Sequence, residues 1–372
     1  MADDVLITSN HMQKQAERIK LILDSAGKWK LNGNTATFDY NYKNTEVPVT
    51  IKGVKSVDDM VLRGYSITVP STAYDTDTQV SISGESCKLI FNEKINALIQ
   101  NNAASVISSG DNSSICGSST NDYITITGGA QNCTIIGNNG NDYIYVDNSS
   151  SAYVKTDEGN DYIYVDNATG GYFNADANLD CITVTGSKDC SIYGGTGNDS
   201  IYIENSSGVY VAAGADNDYI TVTGLSDCTI YGSAGNDYLY IDNAIRSYFT
   251  TGADNDFITV TGGSKNCTII GGAGNDSIFN NSNGNIFYYT GSSGEGTDSL
   301  SAFNSDDLIY INDSDCTVTD SIVSGNAMLQ ITKGTTNTCV VILGKTTGDT
   351  VRVKLGAEGA IQTYTIGTGF DS

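Results

Sequence analysis

Proline is nearly missing from this chain: 372 residues contain two, Pro48 and Pro70. Beyond residue 70 nothing removes a ladder donor or blocks a central strand, so uninterrupted sheet is permitted there. There is one histidine, His11, and one tryptophan, Trp29. With a single imidazole and neither a nucleophile motif nor a phosphate loop, no catalytic constellation is offered, and a non-enzymatic role is expected. Bases are scarce, 19 against 43 acids, for a formal charge of −24. That charge argues against nucleic acid or an anionic membrane as partner. Between Asp122 and Asp276 the imbalance sharpens to 20 acids against Lys155, Lys188, Arg246 and Lys265. A polysaccharide-acting enzyme, which would want bases beside its acids, is the weakest reading. No stretch approaches the ~18 apolar residues of a membrane span. The first residues, MADDVLITSNHMQKQAER, lack a basic segment followed by an apolar one, so no N-terminal Sec signal is expected.

What is abundant is glycine, 41 residues, and a repeat. Gly-Asn-Asp recurs at 140–142, 159–161, 197–199, 235–237 and 274–276. The wider register runs through Asp122, Asp142, Asp161, Asp180, Asp199, Asp218, Asp237, Asp256 and Asp276, in steps of 19 or 20 residues. A fixed period of this size is the mark of a solenoid, in which equivalent residues form straight rows. Carboxylates stacked at strand spacing, about 4.8 Å, repel one another unless something positive lies between them.

Column by column, the repeat separates inside from outside. Two residues after the aspartates stand Ile124, Ile144, Ile163, Ile182, Ile201, Ile220, Leu239, Ile258 and Ile278, and four after come Ile126, Val146, Val165, Val184, Ile203, Val222, Ile241 and Val260. Seven before lie Ile135, Val154, Phe173, Ile192, Val211, Ile230, Phe249 and Ile269. These three columns are expected to face the core, from two short strands per coil. Nine before each aspartate is a small column with Cys133, Cys190, Cys228 and Cys267, never in adjacent coils. Two coils apart is beyond disulfide reach, so these four read as buried free thiols. Cys87, Cys116, Cys181, Cys316 and Cys339 are left open. The intervening columns, Thr125, Tyr145, Tyr164, Thr183, Tyr202, Thr221, Tyr240 and Thr259 among them, point outward as a hydroxyl and aromatic face.

The flanks differ. Residues 1–100 read as a cap, with a helix over 11–25 and strands after it; 101–297 read as the solenoid; 298–372 read as antiparallel strands closing the far end. The expected fold is therefore all-β, a parallel β-solenoid of ~19-residue coils between two caps.

The turn before the aspartate carries the chemistry. Gly-Gly-Thr-Gly-Asn-Asp at 194–199 and Gly-Gly-Ala-Gly-Asn-Asp at 271–276 are full matches to G-G-x-G-x-D; 232–237 and 137–142 are near matches; Gly-Ala-Asp-Asn-Asp stands at 214–218 and 252–256. Glycines at such turns can aim carbonyls into the gap between coils, and a hard cation such as Ca²⁺ takes about six to eight oxygens. The opposite turn, for example 185–190 or 242–247, lacks this pattern, so any cations are expected along one edge. A metal-free solenoid with Asn and Asp ladders at its turns is the alternative.

These hexads, each followed by an aromatic residue or Ser and then Ile or Leu, resemble the nonapeptide repeats of the RTX, or haemolysin-type, calcium-binding proteins, and 298–355 resembles the strand-rich region that follows them. The resemblance implies a β-roll-like solenoid that holds Ca²⁺ at its turns, with export by a type I system that reads a C-terminal signal. The implied ligands are Gly137, Gly140, Asp142, Asp161, Gly194, Gly195, Gly197, Asp199, Asp216, Asp218, Gly232, Gly235, Asp237, Asp254, Asp256, Gly271, Gly272, Gly274 and Asp276. The function expected is a secreted or cell-surface calcium-binding protein with a structural or adhesive role, its partners calcium ions and cell-surface or matrix components or further copies of itself. The alternative is a glycan- or ice-binding module built on the Thr and Tyr face.

Overall fold

The computed structural model describes residues 93–99, 105–291 and 294–370, and before them a set of strands between Lys30 and Phe91. The helix expected over 11–25, together with His11, Trp29 and Cys87, lies outside the described residues. Among the described residues every regular element is a strand. Two compact units divide the chain, Met1–Tyr164 and Val165–Ser372.

In the first unit two parallel ladders stack. Ser66–Val69, Lys88–Phe91, Ser105–Ser108, Tyr123–Ile126 and Tyr143–Asp147 pair in that order, and so do Gln79–Ser83, Asn96–Ile99, Ser114–Cys116, Thr134–Ile136 and Tyr153–Lys155. Antiparallel strands Lys30–Asn32, Thr35–Tyr42 and Thr45–Lys52 join the second ladder at Gln79–Ser83. Parallel pairing thus already runs through 66–99, a stretch whose alternation in sequence reads as a cap.

The second unit repeats the plan. One ladder runs from Cys181–Thr185 through Ser200–Glu204, Tyr219–Thr223, Tyr238–Asp242, Phe257–Thr261 and Ser277–Asn280 to Thr297–Ser301. The other runs from Tyr172–Ala177 through Ser191–Thr196, Tyr210–Ala215, Thr229–Ala234, Tyr248–Ala253, Thr268–Ala273 and Ile286–Tyr289 to Leu308–Ile311. Antiparallel closure does follow: Thr317–Val323, Asn326–Lys333 and Thr336–Ile342 form one meander, and Thr350–Leu355, Ile361–Thr365 and Gly369–Phe370 another. The expectation fails at 298–311, which pairs in parallel with the coil before it, and in part at Thr336–Ile342 and Thr350–Leu355, which pair in parallel with Thr297–Ser301 and Leu308–Ile311 as well as antiparallel with their own hairpin partners.

Both units bury the three apolar columns, from Ile124 and Ile135 in the first to Val260, Ile269 and Ile278 in the second. With period-2 alternation only one face can be dry, and the Ile and Val side chains of successive coils sit directly over one another in register. The small column is buried as well. Cys190 Sγ lies 3.3 Å from the Lys188 carbonyl oxygen, and Cys228 Sγ 3.2 Å from that of Ser226, each thiol donating. In the next coil the Ser247 hydroxyl makes the same bond to Ile245, 3.1 Å. All eight cysteines among the described residues are free, including Cys116, Cys181, Cys316 and Cys339.

Candidate metal centre

At one edge of each coil the repeat aspartate turns inward. In the second unit the backbone N–H of one aspartate donates to Oδ1 of the next: Asp180 to Asp199 (2.9 Å), Asp199 to Asp218 (2.8 Å), Asp218 to Asp237 (2.8 Å), Asp237 to Asp256 (2.8 Å), Asp256 to Asp276 (3.0 Å) and Asp276 to Asp298 (2.9 Å). In the first unit Asp122 donates to Asp142 (2.8 Å) and Asp142 to Asp161 (2.7 Å). One carboxylate oxygen per residue is thereby satisfied. The other oxygen, Oδ2 of Asp142, Asp199, Asp218, Asp237, Asp256, Asp276 and Asp298, is buried with no hydrogen-bond partner. Buried polar atoms are paired in the great majority of cases, so a whole file of exceptions calls for a physical cause.

The glycines of the motif fall into two groups with different reasons. Gly137, Gly194, Gly232 and Gly271 lie beneath the carboxylates. A methyl group on Gly194 would sit 2.5 Å from Asp199 Oδ2 and 2.4 Å from the Ala213 carbonyl oxygen; on Gly232, 2.2 Å from Asp237 Oδ2 and 2.6 Å from the Thr251 carbonyl oxygen. On Gly137 it would meet Asp142 Oδ2 at 2.2 Å, and on Gly271, Asp276 Oδ2 at 2.1 Å. A carboxylate oxygen and a carbonyl oxygen of the following coil therefore crowd one small volume that has no room for a side chain. In the intervening coil Thr251 takes this place, and its hydroxyl donates to the Gly271 carbonyl, 3.0 Å. The other group, Gly140, Gly195, Gly197, Gly235, Gly272 and Gly274, holds φ between 117° and 136°. There a side chain is strained and also blocked: a methyl on Gly195 would come within 1.9 Å of the Asp176 carbonyl oxygen.

Asp216 and Asp254 stand elsewhere. Both are exposed at positive φ, 76° and 79°, on the outer rim of the turn. Their charge acts on the buried carboxyls of the preceding coil, Asp199 and Asp237. Beside the aspartates an exposed asparagine ladder runs in the opposite sense: Asn217 N–H donates to Asn198 Oδ1 (2.8 Å), Asn236 to Asn217 (2.7 Å), Asn255 to Asn236 (3.1 Å) and Asn275 to Asn255 (2.8 Å). Both ladders of the metal-free alternative are thus present. Neither reaches the second carboxylate oxygens.

Burial pushes these carboxyls far above the ordinary range. Asp142, Asp218 and Asp298 are raised to about 8, Asp256 to about 7, and Asp199, Asp237 and Asp276 to about 6, with loss of water the largest cause in each. The backbone N–H of the preceding aspartate opposes the rise, and neighbouring carboxylates add to it at Asp142, Asp218, Asp256 and Asp298. Groups this close titrate as a set. Near neutral pH the file either carries protons or needs a cation.

A divalent cation fits these atoms: dry, anionic oxygens with lone pairs unused, facing carbonyl oxygens across a glycine. Among the described residues no three carboxylate, thiol or imidazole groups converge on one point. The rest of any shell would come from backbone carbonyls. The opposite edge offers nothing comparable. There Asn148, Asn167, Asn205 and Asn243 turn the chain at φ of 51° to 53°, and serines close the hydrogen bonds: Ser187 N–H donates to Ser206 Oγ (3.1 Å), whose hydroxyl donates to the Glu204 carbonyl (2.9 Å).

Fold and site together define a class, the parallel β-solenoid with a buried file of carboxylates along one edge. Within that class the chain carries the RTX calcium-binding nonapeptide repeat, whose family model matches four stretches, 117–149, 191–202, 229–242 and 250–286. RTX nonapeptide repeats bind Ca²⁺. The matches take in Asp122, Asp142, Asp199, Asp237, Asp256 and Asp276; Asp161, Asp180 and Asp218 lie outside them. No curated protein matches the chain. Asp298 and the residues around it, Tyr289 and Glu295, are absent from the sequence-derived site. Asp298 follows Asp276 by 22 residues, a lengthened step that takes it out of register although the ladder bond to Asp276 continues.

Proposed function

We propose that this protein is a secreted or cell-surface calcium-binding solenoid with a structural or adhesive role, whose fold is completed by Ca²⁺ along the aspartate edge. The observation that carries the reading is the file of buried, unpartnered Oδ2 atoms at Asp142, Asp199, Asp218, Asp237, Asp256, Asp276 and Asp298. Gly137, Gly194, Gly232 and Gly271 leave the space, Gly140, Gly195, Gly197, Gly235, Gly272 and Gly274 set the turns, and Asp161 continues the row in the first unit. Asp216 and Asp254 add charge at the rim. Bound calcium would supply positive charge to atoms that otherwise repel, so the role asked of it is stability. An extracellular setting would suit such a protein, because calcium there is plentiful and folding on export would follow from loading. Thermal unfolding in EDTA and in millimolar calcium tests it: the melting temperature should rise with calcium, and identical curves would refute the proposal.

A second reading rests on the outer face. Tyr219, Tyr238 and Phe257 stack at 4.8 and 5.2 Å with ring planes within 13° of parallel, and Tyr219 and Phe257 are exposed. Such a ladder suits the flat face of a sugar. Replacing Tyr219 and Tyr238 with Ala should abolish any glycan binding seen for the parent; retention would remove this reading.

A further inference from the structure

The two ladders of the second unit present different outer faces. In the one from Cys181–Thr185 to Ser277–Asn280, the outward residues include the acids Glu204 and Asp242. In the other, from Tyr172–Ala177 to Ile286–Tyr289, the first and third residue of every strand point outward, and none of them is charged. In a chain of net charge −24 that strip is an exception. Solvation does not ask for it, since half-buried tyrosines tolerate charged neighbours. A face cleared of charge and rich in tyrosine has the composition of a protein interface core.

Its relief is regular. Tyr172, Tyr193, Tyr210, Tyr231 and Tyr248 alternate between the two outward columns, with successive ring centres 5.0, 5.8, 5.5 and 6.0 Å apart. Each of these coils sets one tyrosine beside one smaller residue, Asn174, Ser191, Ala212, Thr229 and Thr250 in turn, and the order reverses at every coil. Tyr210 is 38 % exposed. The margins of the strip differ in sign. Along the aspartate edge the rim holds Asp176, Asp216 and Asp254 and no base. Along the serine edge stand Lys188, Arg246 and Lys265, with Asp189 3.8 Å from Lys188 and Asp227 2.7 Å from Arg246.

We propose that this strip is a dimer interface, closed by a second copy of the chain lying parallel to the first about a two-fold axis that runs along the solenoid. Such an axis sets each coil against the same coil of the other copy and exchanges left for right. Tyr210 then faces Ala212 of the partner subunit, and Tyr193 faces Ser191 of the partner subunit. Every ring opposes a smaller side chain. The acidic rim of each copy lies over the basic margin of the other, with Asp254 and Arg246 in the same coil. A two-fold axis across the solenoid is opposed by charge, because it lays the acidic rim on itself. A neutral polysaccharide matches the absence of charge but neither the reversal from coil to coil nor the signed margins. The interface goes beyond the calcium reading and does not depend on it.

Sedimentation equilibrium of the full chain in millimolar calcium and physiological salt tests it, with circular dichroism to check that each variant folds. The parent should dimerise with a Kd on the order of micromolar. Ala212→Tyr sets ring against ring and should weaken the dimer about tenfold or more. Adding Tyr210→Ala to that variant restores one ring opposite one small residue, and affinity should return to within about threefold of the parent. Arg246→Glu should weaken the dimer about threefold, and Asp254→Lys added to it should recover part of the loss. Should Ala212→Tyr not fold, the Arg246 and Asp254 variants decide alone. A parent that stays monomeric up to about 0.1 mM, or a double tyrosine variant as weak as Ala212→Tyr, would overturn the interface. So would a monomer retained by a neutral glucan, which would assign the strip to sugar.

Discussion

Each coil has two edges, built from nearly the same polar residues, and they end in opposite states. At the serine and asparagine edge each turn closes on its own hydrogen bonds, as Ser187, Ser206 and Ser247 do. At the aspartate edge the same backbone stacking leaves one carboxylate oxygen dry and unpartnered at Asp142, Asp199, Asp218, Asp237 and Asp276. A hydroxyl carries its own proton and can satisfy a carbonyl beside it; an ionised carboxylate brings only acceptors. The first edge is complete as built. The second waits for a proton or a cation, at a cost of about 1–3 kcal/mol or more for each orphan.

Ways to break this contrast differ in size. Largest should be Gly195→Ala, which combines a φ of 121° with a methyl 1.9 Å from the Asp176 carbonyl oxygen. A loss of ~3 kcal/mol or more is expected by chemical denaturation. At the other edge Gly208→Ala meets an ordinary left-handed φ of 64° and only the Asp189 side chain, and should cost ~1–2 kcal/mol. Equal losses would erase the distinction between the edges.

Next comes pH. The file's carboxyls are raised in the folded state to between about 6 and about 8, against about 4 unfolded. The folded chain therefore holds more protons, so the stability they contribute is full below pH ~4 and is lost as pH rises through 6 to 8. In EDTA the melting temperature should fall by ~10 °C or more between pH 5 and pH 8. Saturating calcium should flatten that slope. A flat profile without calcium would mean the file is not dry.

Asp199→Asn is smaller and changes sign with conditions. The amide keeps an oxygen for the Asp180 N–H but removes a buried charge. In EDTA at pH 8 the melting temperature should rise by ~2–4 °C, while the gain from calcium shrinks. Asp189→Asn, exposed at the other edge, should change neither. Smallest is Cys228→Ser, in which a hydroxyl replaces a thiol already donating to Ser226, as Ser247 does in the next coil. Stability should stay within ~1 kcal/mol, and a reductant should leave unfolding of the parent unchanged.

How much of this was open to reading from sequence depends on what the period could carry. The coil, its three apolar columns and the small cysteine column were legible because each is a period-2 pattern on a 19-residue step. The confinement of the glycine–aspartate turn to one edge was legible for the same reason. That the aspartates point inward was not, since a turn residue preceded by Gly and Asn looks solvent-facing until the ladder from one aspartate N–H to the next Oδ1 is seen. The glycine at 194 looked like a φ requirement and is a space requirement instead. Asp298 was hidden by the lengthened step of 22 residues, and Tyr289 by being large in a column of small residues.

The central claim is that calcium takes the place of protons on buried carboxylates. It is tested most directly by calcium calorimetry at pH 7 in two buffers that differ in ionisation heat. Saturable binding with net proton release is predicted, and the release should diminish at pH 9, where the file is ionised beforehand. Binding with no proton release at pH 7, or no saturable heat in either buffer, would contradict it.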